Sequence, residues 1–158
     1  MRLRGREGNE LALSIVGYQF PDETVDPWDS NGLLVSVRVV SPHGTWEVVD
    51  PCLTTWEARQ LAMWLSAVAR GAMARPTSTL SEPNLTASVS VDLSSLTSRY
   101  QLRVCFELEN RPPWAPTVAG GRNLCVDLDV GASDLASAAS ALREDLARFP
   151  QRGDDPTL

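Results

Sequence analysis

The sequence predicts an α+β fold: a single domain built on a mainly antiparallel β-sheet of about six strands, with two α-helices packed on one face. Apolar and polar residues alternate in six segments, which is the pattern of half-buried strands. Two longer segments carry apolar residues at helical spacing. The order is βββα, then βββ, then α, and strands in runs indicate an antiparallel sheet. A β-sandwich flanked by helices is the alternative architecture.

The length and composition predict one domain. The chain has 158 residues, of which 43% are hydrophobic and 22% charged, and both fractions are typical of globular proteins. We expect a flexible N-terminus over residues 1–9, a folded domain over 10–150 and a loose tail over 151–158, because the two end segments are polar and charged.

The first three strands are predicted from a period of two. Leu11, Leu13 and Ile15 share one face of the first strand. The second strand covers residues 33–40, and the third runs from Trp46 until Asp50-Pro51 ends it. The segment 41–44 contains Pro and ends in Gly, which favours a tight turn, so the second and third strands form a hairpin.

The first helix has a clear start and stop. Thr54 is followed three residues later by Glu57, which is the capping-box spacing. Gly71 is placed to end the helix. One stripe of apolar residues follows at helical spacing: Ala58, Leu61, Ala62, Leu65, Val68 and Ala69.

The second half of the chain repeats the alternation in strands over 85–93, 100–108 and 124–130. A final helix is predicted from about Ser133, taken as its N-cap, to Phe149, with Pro150 ending it. A loop rich in Pro and Gly, residues 110–122, connects the last two strands.

The charge excludes several classes of function. The net charge is −6, all 14 basic residues are arginine, and His43 is the single histidine. The absence of lysine excludes Schiff-base chemistry and a phosphate-loop lysine. The negative charge argues against direct binding to nucleic acid or to an anionic membrane, and it favours a basic partner.

Three cysteines predict a reducing, cytoplasmic location without disulfides, because disulfide-built domains carry dense, even sets. We expect Cys105 and Cys125 to be neighbours on adjacent strands but not bonded, since directly opposed residues strain a disulfide. Cys52 precedes the first helix, and only His43 could serve as its base. The lack of a third orienting group argues against a catalytic pair.

The loop 20–32 is the first candidate site. It contains Asp22, Asp26, Trp28, Asp29 and Asn31, and functional contacts concentrate on long loops held by a rigid scaffold. Part of it overlaps an EF-hand calcium loop, but two required ligands are missing, so we expect no metal and no other cofactor. A metal-assisted hydrolase that uses this loop remains the alternative function.

The outer face of the second group of strands is the other candidate site. By strand parity, its acidic residues point away from the core: Asp92, Glu107, Glu109, Asp127 and Asp129. A flat solvated face would not raise the pKa of one carboxyl group, so glycoside hydrolysis is disfavoured. We expect a soluble face or a docking surface for a basic partner, for which Glu107 and Asp127 are the candidates.

Six short motifs, in this order and spacing, resemble the WapI-type immunity protein family: Gly17-Tyr18-Gln19-Phe20-Pro21, Trp28-Asp29-Ser30-Asn31, Asp50-Pro51-Cys52-Leu53-Thr54 with Trp56-Glu57, Glu82-Pro83-Asn84-Leu85, Arg111-Pro112-Pro113-Trp114 and Phe149-Pro150. The resemblance runs from about residue 10 to residue 153.

The resemblance implies a small bacterial cytoplasmic protein that binds and neutralises the C-terminal domain of a contact-delivered toxin. It implies no catalysis and no cofactor. The expected partner is therefore a basic protein toxin domain. A homo-oligomeric structural protein, such as a homodimer, is the third hypothesis.

Overall fold

The computed structural model describes residues 1–72, 77, 78, 85–92, 99–112, 114 and 124–156. Within these residues the elements follow in chain order: β1 (Arg2–Arg4), β2 (Glu10–Tyr18), β3 (Gly32–Ser41), β4 (Gly44–Thr54), α1 (Thr55–Ala69), β5 (Thr77–Ser78), β6 (Leu85–Asp92), β7 (Arg99–Phe106), β8 (Leu124–Val130) and α2 (Ala132–Arg148). The motif residues 82–84, the predicted strand end at Leu93 and most of the loop 110–122 lie outside the described residues. So does the side chain of Asp92.

The α+β class and the order of strands and helices are confirmed. The strands form two sheets rather than the single sheet of the prediction, with the orders β1-β2-β3-β4 and β5-β6-β7-β8. Every strand pair is antiparallel. The division follows the chain: α1 separates the two runs of strands, and in the part of the chain that the structure describes each run pairs with itself.

The hairpin of β3 and β4 is confirmed, and it closes where Ser41 pairs with Gly44. The prediction that Asp50 and Pro51 end the third strand was wrong, because β4 continues to Thr54. β4 is the edge strand of its sheet, and the register shifts between Leu33 and Leu34, opposite Pro51. A proline is tolerated there because edge strands and bulges do not need its missing N–H.

The N-terminal segment is part of the sheet. Strand β1 pairs with β2 through Arg2 to Ala12 and Leu3 to Leu11, and Leu3 is only 1% exposed. Arg2–Arg4 thus form a paired strand within the segment 1–9, for which the sequence predicts flexibility. Leu3 packs into the core, and Arg2 and Arg4 both pair with the Glu10 carboxylate of β2.

Helix α1 begins as predicted. The Thr54 hydroxyl oxygen accepts the Glu57 N–H, and the Glu57 carboxylate accepts the Thr54 N–H at 2.8 Å. At the other end Gly71 has φ +69°, a conformation that favours glycine, and its N–H donates to the carbonyl of Val68. Both signals read from the sequence therefore act as cap and stop.

Helix α2 begins earlier than predicted. Its N-cap is Gly131, not Ser133, because the Asp134 carboxylate reaches back to the Gly131 N–H at 2.8 Å. Near its C-terminal end the buried Asp145 accepts the backbone N–H of Ile15 at 3.3 Å. This contact lies on the side of β2 that the short β1 leaves uncovered, so the helix protects a strand edge.

One hydrophobic core is shared by both sheets and both helices. Its members include Leu13, Val37, Leu65, Leu102 and Leu142. The two sheets approach each other at β1 and β8, where the Asn9 side-chain amide donates to the carbonyl of Asp127 at 2.9 Å. Each sheet therefore directs one face inward and leaves the other exposed. No helix within the described residues is long and apolar enough to cross a membrane.

Candidate partner-binding site

The loop between β2 and β3 is held in one shape by its own carboxylates. Asp26 Oδ1 accepts the N–H groups of Trp28 and Asp29 at 2.8 and 2.9 Å. Glu23 Oε1 accepts three consecutive backbone N–H groups, from residues 24 to 26. The pKa of Glu23 is lowered mainly by the hydrogen bonds that its carboxylate accepts from the N–H groups of Val25 and Asp26. Both side chains thus act in turns of the loop itself.

Asn31, a predicted partner-binding residue, is buried with 0% exposure. Its amide nitrogen donates to the carbonyls of Pro27 and Arg152 at 2.8 and 2.7 Å. Its amide oxygen accepts the Thr55 hydroxyl at 2.8 Å and the Arg152 N–H at 2.9 Å. The side chain is therefore a structural link between the loop, α1 and the C-terminal segment, and we remove it from the candidate contacts.

Arg152 holds the same loop from the C-terminal side. Its guanidinium lies 3.6 Å from the centroid of the Tyr18 ring, in cation–π geometry. Its Nη1 donates to the carbonyls of Pro21 and Glu23 at 2.9 and 3.1 Å. Arg152, which lies in the segment 151–158 predicted to be loose, thus contacts both the loop and Tyr18. The contact was not predictable, because an arginine after a helix-ending proline carries no signal of its partner.

Trp28 is 45% exposed and yet firmly placed. It packs edge-to-face on Trp56 of α1, with ring centroids 5.1 Å apart at 80°. Trp56 is 2% exposed and belongs to the buried side of the helix. Trp28 therefore both docks the loop and presents part of its ring to solvent.

A groove of about 210 Å³ opens beside Trp28. Trp28 and Asp29 of the loop line it together with Gln19, Gly32, Leu53 and Glu57. A Cβ atom at Gly32 would lie 2.8 Å from the Gln19 side-chain oxygen, so the glycine allows Gln19 to pack against this wall. Among the described residues that line the groove, none is basic.

Two of the five acidic residues predicted for the outer face of the second sheet, Asp127 and Asp129, are ion-paired. Arg103 makes a two-point contact with Asp127 at 2.7 and 2.8 Å, and this contact lowers the pKa of Asp127. Arg99 donates to Asp129 at 2.6 Å. Glu107 lies just beyond β7, before a 3₁₀ turn. The outer face is therefore charge-balanced at Asp127 and Asp129 and is not a continuous field of carboxylates.

The described residues hold no group of three or more His, Cys, Asp or Glu side chains that could bind a metal ion. In the acidic loop, Glu23 and Asp26 already accept backbone N–H groups. Asp22 and Asp29 are exposed. The metal-assisted hydrolase hypothesis therefore gains no support from the geometry of this loop.

The cysteines depart from the prediction. Cys105 and Cys125 oppose each other in the β7–β8 register, as predicted, but the prediction that they stay unbonded was wrong, because they form a disulfide. Their Cα atoms are 3.9 Å apart, which brings two side chains of the same face within bonding reach. Cys52 is free and buried, and burial raises its pKa to about 12. His43 lies in the turn at the far end of β4, so the two do not form a pair.

Two of the residues that line the groove beside Trp28 were not predicted from the sequence as site residues. Glu57 was recognised only as a helix-capping residue, and it is 4% exposed at the groove wall. Gln19 lies within the motif that carried the resemblance, but nothing in its local pattern indicates a groove. The sequence signal that could have located the groove is the capping box of Thr54 and Glu57, because it fixes where α1 begins beside the loop.

A model of the immunity protein WapI-like family matches residues 2–150, nearly the whole chain. No curated protein matches.

Proposed function

Because the chain belongs to the WapI-like immunity protein family, we propose that it is a non-enzymatic immunity protein that neutralises the C-terminal domain of a contact-delivered bacterial toxin. The observation that carries this proposal is the extent of the match, residues 2–150, which includes both sheets and both helices. A match of this extent concerns the whole fold and not one isolated motif.

The charge of the chain supports a basic toxin domain as the partner. The net charge is −6, and opposite charge on the partner raises the rate of encounter over distances of about 10 Å at moderate salt. The exposed carboxylates of Asp22 and Asp29 lie on a loop that is fixed at both ends. A rigid acidic loop loses little conformational freedom on binding, which favours affinity.

The loop is a better candidate surface than the second sheet. Asp127 is already ion-paired with Arg103, so a cation of the partner would have to compete with Arg103 for this carboxylate. Asp29 and Trp28 are exposed beside an open groove. We therefore place Asp22, Asp26, Trp28 and Asp29 in or around the contact, with Asp26 as a positioning residue, and give Glu107 and Asp127 the second place.

The location follows from the role. An immunity protein that acts on a toxin after delivery works in the cytoplasm, where structural disulfides are rare. The Cys105–Cys125 disulfide weighs against that compartment. Thiol trapping in intact cells decides between a cytoplasmic and an oxidising location. In the cytoplasm Cys105 and Cys125 should be trapped as reduced thiols, and in an oxidising compartment they should be trapped as a disulfide.

Gene context and growth test the proposal. We expect a large toxin gene directly beside the gene of this chain. Induced expression of its C-terminal domain should arrest growth, and co-expression of this chain should restore it. An inactive toxin variant controls for the burden of expression. Growth arrest that persists while this chain is abundant and folded would contradict the proposal.

A further inference from the structure

We propose that the groove beside Trp28 receives the side chain of one arginine of the partner, with its guanidinium stacked on the Trp28 ring and paired with Asp29. This inference rests on the proposed function, since it takes the partner to be a basic protein domain. It adds the chemistry of one central contact, which neither the family nor the net charge specifies.

The first argument is that Trp28 is partly exposed although packing and hydrogen bonds hold it in place. Trp56 supports one side of the ring, and Asp26 fixes the backbone N–H groups of residues 28 and 29. The Asn31 N–H donates to the Trp28 carbonyl at 3.1 Å. A large aromatic that stays half exposed in a fixed position is typical of the anchor residues of interfaces.

The second argument is the charge of the groove. Asp29 is exposed at the wall, whereas the Glu57 carboxylate already accepts the N–H and the hydroxyl of Thr54. None of the described residues that line the groove is basic. An aromatic face together with an exposed carboxylate is the environment that attracts a cation, through the ring quadrupole and through charge.

The third argument is size. The groove measures about 210 Å³ and is open to solvent, so one long side chain can enter it from outside. Gly32 lets the Gln19 side chain lie close to the wall of the groove, because a Cβ atom at residue 32 would be 2.8 Å from the Gln19 side-chain oxygen.

Arginine fits better than lysine. Its planar guanidinium stacks on an indole ring and can still donate in its own plane to a carboxylate, whereas an ammonium group is a compact, strongly hydrated charge. Gln19 adds a neutral hydrogen-bonding group at the wall. The arrangement of the Trp28 ring, the Asp29 carboxylate and the Gln19 amide thus suits a planar guanidinium group.

A titration that needs no toxin tests the groove first. Nα-acetyl-arginine methylamide is added to the ¹⁵N-labelled protein while the Trp28 indole N–H signal is followed, with the citrulline analogue as the neutral control of equal shape. The Trp28→Leu variant identifies the signal, and Asp29→Asn removes the charge without changing the shape. We expect a saturable shift with the arginine analogue that is absent with citrulline and weakened in Asp29→Asn. An unchanged Trp28 signal would overturn the inference, and a stronger response to the lysine analogue would overturn the choice of arginine.

Affinity for the toxin domain tests the same contact in the complex. Trp28→Leu and Asp29→Asn should each weaken binding by about tenfold or more, as expected for a central anchor. Val25→Ala is the matched control, because Val25 is 89% exposed in the same loop and does not line the groove. If the wild type binds tightly and both groove variants bind equally tightly, the inference fails while the proposed function stands. If no toxin domain binds the wild type, the proposed function fails, and the titration alone decides the groove.

Discussion

Asn31 and Arg152 hydrogen-bond to each other at two points across 121 residues of chain: the Asn31 amide nitrogen donates to the Arg152 carbonyl at 2.7 Å, and the Asn31 amide oxygen accepts the Arg152 N–H at 2.9 Å. Asparagine here imitates the pairing of a neighbouring strand. The contact connects the acidic loop to the segment after α2, and it makes the candidate surface a product of the whole fold.

Replacement of Asn31 by alanine should therefore destabilise the protein by about 2–3 kcal/mol, because buried partners such as the Thr55 hydroxyl lose their hydrogen bond. Urea denaturation measures the loss. Asp22→Asn, an exposed change in the same loop, should stay within about 0.5 kcal/mol of the wild type. Equal stabilities of the two variants would contradict the structural role of Asn31.

Helix α1 should depend on its cap and on its buried stripe. Thr54→Ala removes the oxygen that accepts the Glu57 N–H and should cost about 1 kcal/mol. Leu65→Ala should cost roughly 2–5 kcal/mol, because it leaves a cavity in the core. Gln60→Ala, at an exposed position of the same helix, serves as the control with almost no effect. Negligible losses in both test variants would mean that the helix is wrongly assigned.

The Glu10 carboxylate should stabilise the fold in a pH-dependent way. Hydrogen bonds from Arg4 and then Arg2 lower its pKa from the ordinary value of 4.5. Its contribution is therefore fully present above that value and is lost as the pH falls through the lower pKa of the folded state. Glu10→Gln should be less stable than the wild type at neutral pH, and the gap should close in acid.

Chemical denaturation across the pH range measures the effect at Glu10. Glu47→Gln, on an exposed position of the same sheet, is the control for a general loss of negative charge. A gap between wild type and Glu10→Gln that stays constant down to strongly acidic pH would show that the ion pairs contribute nothing.

The thiols should report the disulfide directly. Protein that is purified without reductant and then denatured should show one reactive thiol, Cys52, because Cys105 and Cys125 are bonded. In the folded protein Cys52 should resist alkylation at mildly alkaline pH, since its pKa is about 12 and the side chain is buried. Three reactive thiols before any reduction would contradict the disulfide.

Much of the fold could be predicted from local patterns. The alternation in β2, β3 and β6–β8 and the spacing from Thr54 to Gly71 depend only on residues close in sequence. The division into two sheets could not be predicted, because it depends on which strands pair. In β1 the pattern is one leucine between two arginines, too short to distinguish from a charged terminus.

The candidate site was predictable only in part. The loop with Trp28 and its acidic residues stood out by composition. The burial of Asn31 could not be predicted, because its partner Arg152 lies far along the chain. Arg103 shares the outward parity of β7, but its pairing with Asp127 depends on the register of β7 and β8, which only the folded sheet fixes.

Direct titration of the purified toxin domain into this protein, followed by calorimetry and by association kinetics over a range of salt concentrations, tests the central claim. We predict a saturable complex whose association rate falls as salt rises while dissociation changes less, because long-range attraction between opposite charges is screened. The absence of binding at low salt, with both proteins folded, would contradict the account.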